Sequence, residues 1–497
     1  MPQSDSAYDA FLQHVRQFNY LHDAAGLLHW DQQVMMPDEG TPARSKQSST
    51  LSTLHHDMLV DDDLADWLDD LEGADLAADR AAVVREVRRE QERARAVPRD
   101  LVERISETTS EALPVWEEAK AQDDWAAFED DLAEIVDLRR EYAHEIDPDR
   151  DPYEVLFEDY EPYLPLETAE AVLGRLAEEL PPLIDEIADS DTDLANPFAG
   201  GTYPQADQEA LVREALTEVG YDWDRGRLDP APHPFSLGNQ FDARVTTRYD
   251  EEDPLGQAIT STIHEFGHAS YSLGLPEEEY GTPLGDSRDM TVHESQSRFW
   301  ENHVGRSRPF WEFFAPRVEE HLGVDASPRR FYEAANRIHG DNVIRVEADE
   351  LTYHMHIVLR FEIERDLIRG DLEVEEVPQV WNDKMEAYLG VTPEAEGDGA
   401  LQDIHWAQGS MGYFPTYSLG SMLGAQLAAA IRDELPFTEH VREGEFGPIL
   451  DWQREQVHRH GCRYTTPDLI ESATGEGLTA DYFLEYAESK FGDLYHL

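Results

Sequence analysis

The chain has 497 residues, 40% of them hydrophobic and 10% aromatic, which is enough apolar material for a large buried core and too much for a disordered or fibrous protein. Its 106 acidic against 40 basic residues give a formal charge of −66, a surface that repels nucleic acid and anionic membranes. The single cysteine, Cys462, excludes an internal disulfide and a cysteine-based metal cluster, so histidine and carboxylate must do any metal work.

Lys46, Lys120, Lys384 and Lys490 are the only lysines, and arginine supplies the remaining positive charge. Exposed carboxylates at this density repel one another unless salt screens them, so the composition is read as adaptation to a high-salt cytosol. No basic patch followed by an apolar stretch opens the chain, and no run of about 18 apolar residues occurs, so a cytoplasmic protein outside the membrane is the expectation.

From Ser4 to roughly Ser190 the pattern is helical. Leu132, Ile135, Val136 and Leu138 recur near helical spacing, as do Val83, Val84 and Val87, and Leu101, Val102 and Ile105; these are expected core stripes. The runs Asp61 to Asp63 and Asp69 to Asp70 are expected on solvated helix ends or loops. Between Asn196 and Gly238, Pro197, Gly200, Gly201, Pro204, Pro230, Pro232 and Pro234 predict a loop-rich crossing. Phe241 to Tyr249 then reads as a short strand. A long helix opens at Asp253-Pro254, a cap followed by proline at the first helical position, and runs to about Gly274. Further helices are expected over Met290 to Val304, Arg329 to Arg369 and Leu419 to Asp433, with a loop from Ala407 to Ser418. The expected organisation is one catalytic unit over 1–497, with a largely helical N-terminal part over 1–195 and a metal-site-bearing part over 196–497.

Within the long helix, His264-Glu265-Phe266-Gly267-His268 has the pattern H-E-x-x-H. Histidines four residues apart lie on one helical face, so their imidazoles can converge on one ion, while Glu265 can reach a water beside that ion without ligating it. Two histidines leave one protein ligand missing. Glu294, in Thr291-Val292-His293-Glu294-Ser295-Gln296-Ser297, would complete a set of two histidines and one glutamate; His293, Glu301 and His303 compete, because spacing alone cannot fix which side chain turns inward.

The chain resembles the carboxypeptidase Taq family of metallocarboxypeptidases. The motifs follow in order: His233-Pro234-Phe235, Asp242-Ala243-Arg244-Val245-Thr246, His264 to His268, His293-Glu294-Ser295-Gln296, Ile344-Arg345-Val346-Glu347-Ala348-Asp349 and Gly399-Ala400-Leu401-Gln402-Asp403-Ile404-His405-Trp406. Near the N-terminus, His29-Trp30-Asp31-Gln32, Met36-Pro37 and Arg44 also resemble it. The resemblance implies a mainly α, two-lobed helical fold with a long active-site groove and a small sheet beside the motif helix, similar to neurolysin and angiotensin-converting enzyme, assembled as a homodimer. It implies release of single C-terminal residues from peptides with broad side-chain tolerance, one zinc or cobalt ion per chain, His264, His268 and Glu294 as ligands and Glu265 as the base. Two positions depart from the expected pattern. Tyr163 stands where a glycine is expected, and Arg298 occupies the position four residues after Glu294 where thermolysin-like sites carry an aspartate, so the carboxylate that orients a ligand histidine must come from elsewhere.

Tyr413, Tyr417 and His405 are candidate donors to a developing oxyanion. Arg345 is the candidate anchor for a substrate α-carboxylate, with Arg244 as runner-up, because a planar guanidinium can hold both oxygens. The strand Asp242 to Thr246 could pair with substrate backbone. An endopeptidase or oligopeptidase would share every metal residue, and an acidic scaffold with a degenerate site is disfavoured by the intact ligands and base.

Screening of carboxylate repulsion predicts that the melting temperature rises as potassium chloride increases into the molar range. A thermal melt that is flat or falling with salt would remove the high-salt reading.

Overall fold

A computed structural model describes residues 2–497, folded mainly as helices. The first lobe consists of helices Pro2–Val34, Thr41–Leu59, Asp62–Glu72 and Ala78–Ala96, which close around a core of their own that includes Phe11, Phe18, Leu64, Leu68 and Val87. The main core extends from Ala112 to Tyr495 and supports the remainder. The expected stripes Leu132, Ile135, Val136 and Leu138 and Val83, Val84 and Val87 are buried. Val102 is not: Leu101 takes the inward position and leaves its neighbour 45% exposed. Asp61 caps the helix that follows by accepting from the Asp63 amide at 2.9 Å, and Asp69 pairs with Arg88 at 2.6 Å.

The proline-rich crossing carries more order than its composition suggests. Helix Gln205–Val219 starts after Pro204 and ends at Gly220, whose φ of 99° is left-handed, and two strands follow. β1 (Gly226–Pro230) lies parallel to β3 (Ala243–Thr247), and β2 (Ser236–Gly238) lies antiparallel to it, in the order β1-β3-β2. Local propensity misses β1 and β2 because they are short, interrupted by prolines, and ordered by pairing with β3. With both edges of β3 occupied, the expectation that Asp242 to Thr246 pairs with substrate backbone is overturned. Its role is to seat the motif helix, through the 2.9 Å hydrogen bond between Thr262 and Thr247 hydroxyls.

Asp253 accepts from the amides of Leu255 and Gly256 at 3.2 Å each, as its position predicts. One π-helical segment, Leu255–Thr260, leads into the motif helix Ser261–Gly274. The glutamate helix, Met290–Arg298, is capped by Asp289 onto the Val292 amide at 2.9 Å and runs into a second π-helical segment, Phe299–Gly305. The buttress helix, Pro415–Glu434, begins earlier than expected, because Pro415 is pre-set for a first helical turn, so Tyr417 lies in a helix rather than a loop.

The long helix expected over Arg329 to Arg369 is instead two, Pro328–Ala334 and Thr352–Arg369. Asp349 separates them: its carboxylate accepts from the amides of Leu351 and Thr352 at 3.0 Å and of His339 at 2.8 Å, starting the second helix and fixing the irregular segment before it. Arg345 therefore sits on a single 3₁₀ turn, Arg345–Glu347, not on a helix. Tyr163 adopts φ 72°, a left-handed conformation that costs an ordinary residue about 1–2 kcal/mol, under cover of Arg288 and Arg85 at 5.2 and 5.4 Å from its ring centroid.

Two glycines decide how closely the three central helices approach. A Cβ at Gly267 of the motif helix would meet the Gln296 carbonyl oxygen at 2.4 Å, and one at Gly420 of the buttress helix would meet Glu294 Cβ at 2.5 Å. Alanine at either position therefore pushes the glutamate helix away. Gly420→Ala and Gly267→Ala are expected to lower stability by about 1–3 kcal/mol and to weaken divalent-metal binding, measured by denaturant unfolding and metal titration. Gly174→Ala, in helix Leu166–Ala188 with nothing within 4 Å, is the control and should leave metal binding untouched.

Candidate metal centre

The motif helix presents His264 and His268 on one face, with ring centroids 5.0 Å apart. Glu294 enters from the glutamate helix: its Oε2 lies 3.8 Å from His264 Nε2 and 3.3 Å from His268 Nε2. One ligand atom from each of the three residues falls within 4.8 Å of the other two. Ligands bound at zinc-like distances in tetrahedral geometry lie about 3.4 Å apart, so the Glu294 oxygen already stands near that spacing from both imidazoles and the donor set can hold one divalent cation. It is the only such group found among the described residues.

The competitors for third ligand occupy other places. Glu301 stands behind His264, its Oε2 2.9 Å from Nδ1, and is held by Arg306 at 2.9 Å and Arg298 at 3.1 Å. This supplies the orienting carboxylate that the thermolysin spacing lacks. His293 stands behind His268, with the two Nδ1 atoms 2.6 Å apart, so one ring must donate and the other accept. His303 is packed against Tyr486, 4.4 Å between centroids, and is not part of the ligand group. Glu294 itself is tied by Arg298 at 2.7 Å and by the Ser297 hydroxyl at 2.9 Å. Burial alone would raise its carboxyl, but Arg298 and the two histidines outweigh that and hold it well below the usual carboxylate range. It is thus an anion ready to ligate.

Glu265 is 6% exposed and contributes a different chemistry. Burial raises its carboxyl above the ordinary glutamate value against the influence of His264 and His268, and its Oε2 has no hydrogen-bond partner. The Ser236 hydroxyl, on β2, contacts the same carboxylate. The proline-bounded strand therefore shares in placing this carboxylate.

A cavity of ≈ 490 Å³ opens beside His264 and takes in Arg345, Tyr353 and Tyr417, together with His233 of the His-Pro-Phe motif. Arg345 is bonded to Asp403 at 2.8 Å, and Asp403 also receives Arg360 at 2.5 Å. Burial opposes ionisation of Asp403, but the two guanidiniums prevail and hold its carboxyl far below the usual range. Tyr413 packs between Tyr160 at 5.1 Å and Tyr417 at 5.2 Å and stacks on His405 at 5.6 Å. Burial pushes the Tyr413 phenol up to about 12 and the Tyr417 phenol well above its ordinary value, so both keep their protons. Burial lowers His405 to about 4, leaving a neutral ring whose Nδ1 is unpartnered. Arg244 is elsewhere: it pairs with Asp242 at 2.6 Å, lies 4.5 Å over the ring of Trp30, and is absent from the cavity wall. It clamps the first helix to the sheet.

Sequence reasoning missed Tyr353, whose hydroxyl lies 3.4 Å from Arg345 Nη1 and whose ring lies 4.7 Å under Arg298. It also missed Ser236. The only sequence signal for Tyr353 is its place just after the Ile344 to Asp349 motif, and for Ser236 its place one residue after His233-Pro234-Phe235.

The chain matches known proteins over nearly its whole length. The family model for carboxypeptidase Taq (M32) metallopeptidases matches residues 10–491. The chain is 40% identical to thermostable carboxypeptidase 1 of Thermus thermophilus, covering 99% of each, and 36% identical to carboxypeptidase 1 of Bacillus subtilis, covering 98% of each. The solved structure of Trypanosoma cruzi metallocarboxypeptidase 1 superposes with a TM-score of 0.95 at 34% identity, over 98% of this chain and 99% of that one. The chain therefore belongs to the carboxypeptidase Taq (M32) metallopeptidase family and is a metal-dependent carboxypeptidase.

Proposed function

We propose that the chain releases single residues of broad side-chain type from the C-terminus of peptides at one zinc ion held by His264, His268 and Glu294, with Glu265 as general base. The observation that carries this reading is the convergence of those three donors beside a buried carboxylate whose Oε2 has no other partner. Two imidazoles and one carboxylate suit zinc, with cobalt as the alternative. A divalent cation there supplies Lewis acidity toward the scissile carbonyl and a water.

The residues do the rest. Glu265 takes a proton from the water on Oε2 and returns it to the leaving amine, a task suited to a carboxyl raised above its ordinary value. Tyr417, Tyr413 and Tyr353 are protonated phenols or near neighbours of the ligand set that can donate to the developing oxyanion, and His405 supports Tyr413 by stacking. Arg345 receives the α-carboxylate: it shares Asp403 with Arg360, so two guanidiniums on one carboxylate leave a net positive charge at the cavity wall. We place the enzyme in a salt-rich cytoplasm as a homodimer of single catalytic units that act on peptides rather than nucleic acid; no described helix is long and apolar enough to cross a membrane.

Glu265→Gln is expected to retain metal and lose about 10²–10⁴-fold in kcat, because only the proton acceptor is removed. Mass spectrometry of peptides incubated with the metal-loaded enzyme should show ladders of C-terminal loss from free peptides and little loss from C-terminal amides. Arg345→Ala should erode that discrimination with its metal content unchanged. Equal cleavage of free and amidated peptides at internal bonds would establish an endopeptidase instead.

A further inference from the structure

Four arginines line the cavity beside His264: Arg248, Arg298, Arg306 and Arg345. Three are committed to carboxylates, Arg298 to Glu294 and Glu301, Arg306 to Glu301, and Arg345 to Asp403. Arg248 has no carboxylate within ion-pair distance among the described residues. Its partner is neutral: Gln257 Oε1 accepts from Nε at 2.9 Å and from Nη2. One edge of the guanidinium is therefore fixed by an amide oxygen, while the Nη1–Nη2 edge of this exposed side chain meets solvent at the cavity rim and no protein carboxylate.

The position of this edge is set by the motif helix. Gln257 precedes His264 by seven residues, in the π-helical segment that runs into the motif helix, and both residues line the cavity, about 10 Å apart along the axis. His264 lines the cavity, whereas His268 and Glu265 do not, so the cavity leads away from the ligand set on the Arg248 side. A C-terminal residue with its amide bond at the ligands has its α-carboxylate within one residue length, about 3.8 Å, of that bond, which is too near to span to Arg248. Its side chain, directed into the cavity, covers the remaining distance. The other charges there are already answered: Glu350 by Lys490 at 2.5 Å, and Asp349 by three backbone amides. Glu347, exposed at the rim, carries the only acidic charge on the wall without such a partner.

We propose that Arg248 is a specificity-determining residue of the side-chain subsite, where its open guanidinium edge receives the carboxylate of a C-terminal aspartate or glutamate. A carboxylate fits that edge with two parallel hydrogen bonds, which a neutral amide cannot reproduce, because it offers one acceptor and one donor. Gln257 is the positioning residue that aims the fork. The selection works against the chain's own acidic surface, which disfavours acidic peptides at long range, so it must be local.

This inference rests on the carboxypeptidase reading with Arg345 as α-carboxylate anchor. The test is a ratio: kcat/KM for release of C-terminal glutamate divided by that for glutamine, on otherwise identical peptides, with the metal-loaded full-length enzyme at one salt concentration. The wild type is expected to favour glutamate by about tenfold and Arg248→Gln to bring the ratio near one, whatever change both peptides share. Arg248→Lys, which keeps the charge and loses the fork, should give an intermediate ratio. Free glutamate should inhibit the wild type about tenfold more tightly than free glutamine, a measurement that needs no variant. A wild-type ratio near one, or a ratio unchanged in Arg248→Gln while both rates fall, overturns the proposal. Failure of the underlying reading looks different: the wild type would then release no C-terminal residue from either peptide.

Discussion

The closeness of three helix backbones is the constraint on which the site depends. The glutamate helix is wedged between the motif helix and the buttress helix, and glycines face it from both sides: Gly267 over Gln296, Gly420 against Glu294, and Gly424, where an added Cβ would stand 3.1 Å from the Ser295 carbonyl oxygen. Only at that separation does the short glutamate side chain reach both Nε2 atoms. The interior is close-packed and resists even a methyl group, so the spacing of the donors is a property of backbone contact. Asp289 and Asp253 start two of these helices at defined residues and thereby set their register.

Electrostatics then holds the wedge together. Glu294, Arg298, Glu301 and Arg306 form a chain of buried charges in which each carboxylate meets a guanidinium, and His264 is hydrogen-bonded to Glu301 within it. Buried ions are costly unless paired and fully bonded, and removing one partner from such a chain costs about 3–5 kcal/mol. The Arg345–Asp403–Arg360 group repeats the device on the opposite wall, where it joins the Ile344 to Asp349 segment to the segment carrying His405. Arginine suits this use better than lysine because its planar fork can serve two acceptors at once. The chain's acidic exterior and its arginine-threaded interior are two separate uses of charge, one directed at solvent and one at position.

Function follows from where the commitments end. Glu265 keeps one carboxylate oxygen unpartnered, two phenols remain protonated beside the cavity, and Arg248 keeps one guanidinium edge open. Around these, Glu294, Glu301, Arg298, Arg306, Arg345 and Asp403 are paired with one another. A site that must bind metal, activate water and recognise a carboxylate needs its free groups to be few and fixed, since each additional free polar group would bind water or a competing ion.

The sequence by itself determined the predominantly helical class, the pair of histidines on one helical face, the glutamate between them and the order of the family motifs, because these are local: they depend on a 3.6-residue period, on caps and on neighbours in the chain. Its spacing alone left His293, Glu301 and His303 as competitors to Glu294, which the family motifs favoured, since all four fall on the same short stretch. Tertiary structure separated them, with the π-helical segment after Arg298 setting Glu301 behind His264 rather than beside Glu294. It also split the helix expected around Arg345, gave that arginine a partner 58 residues away, closed both edges of β3 and withdrew Arg244 to the first helix. Such outcomes rest on contacts between distant segments, and no local periodicity encodes which distant carboxylate a buried guanidinium will meet.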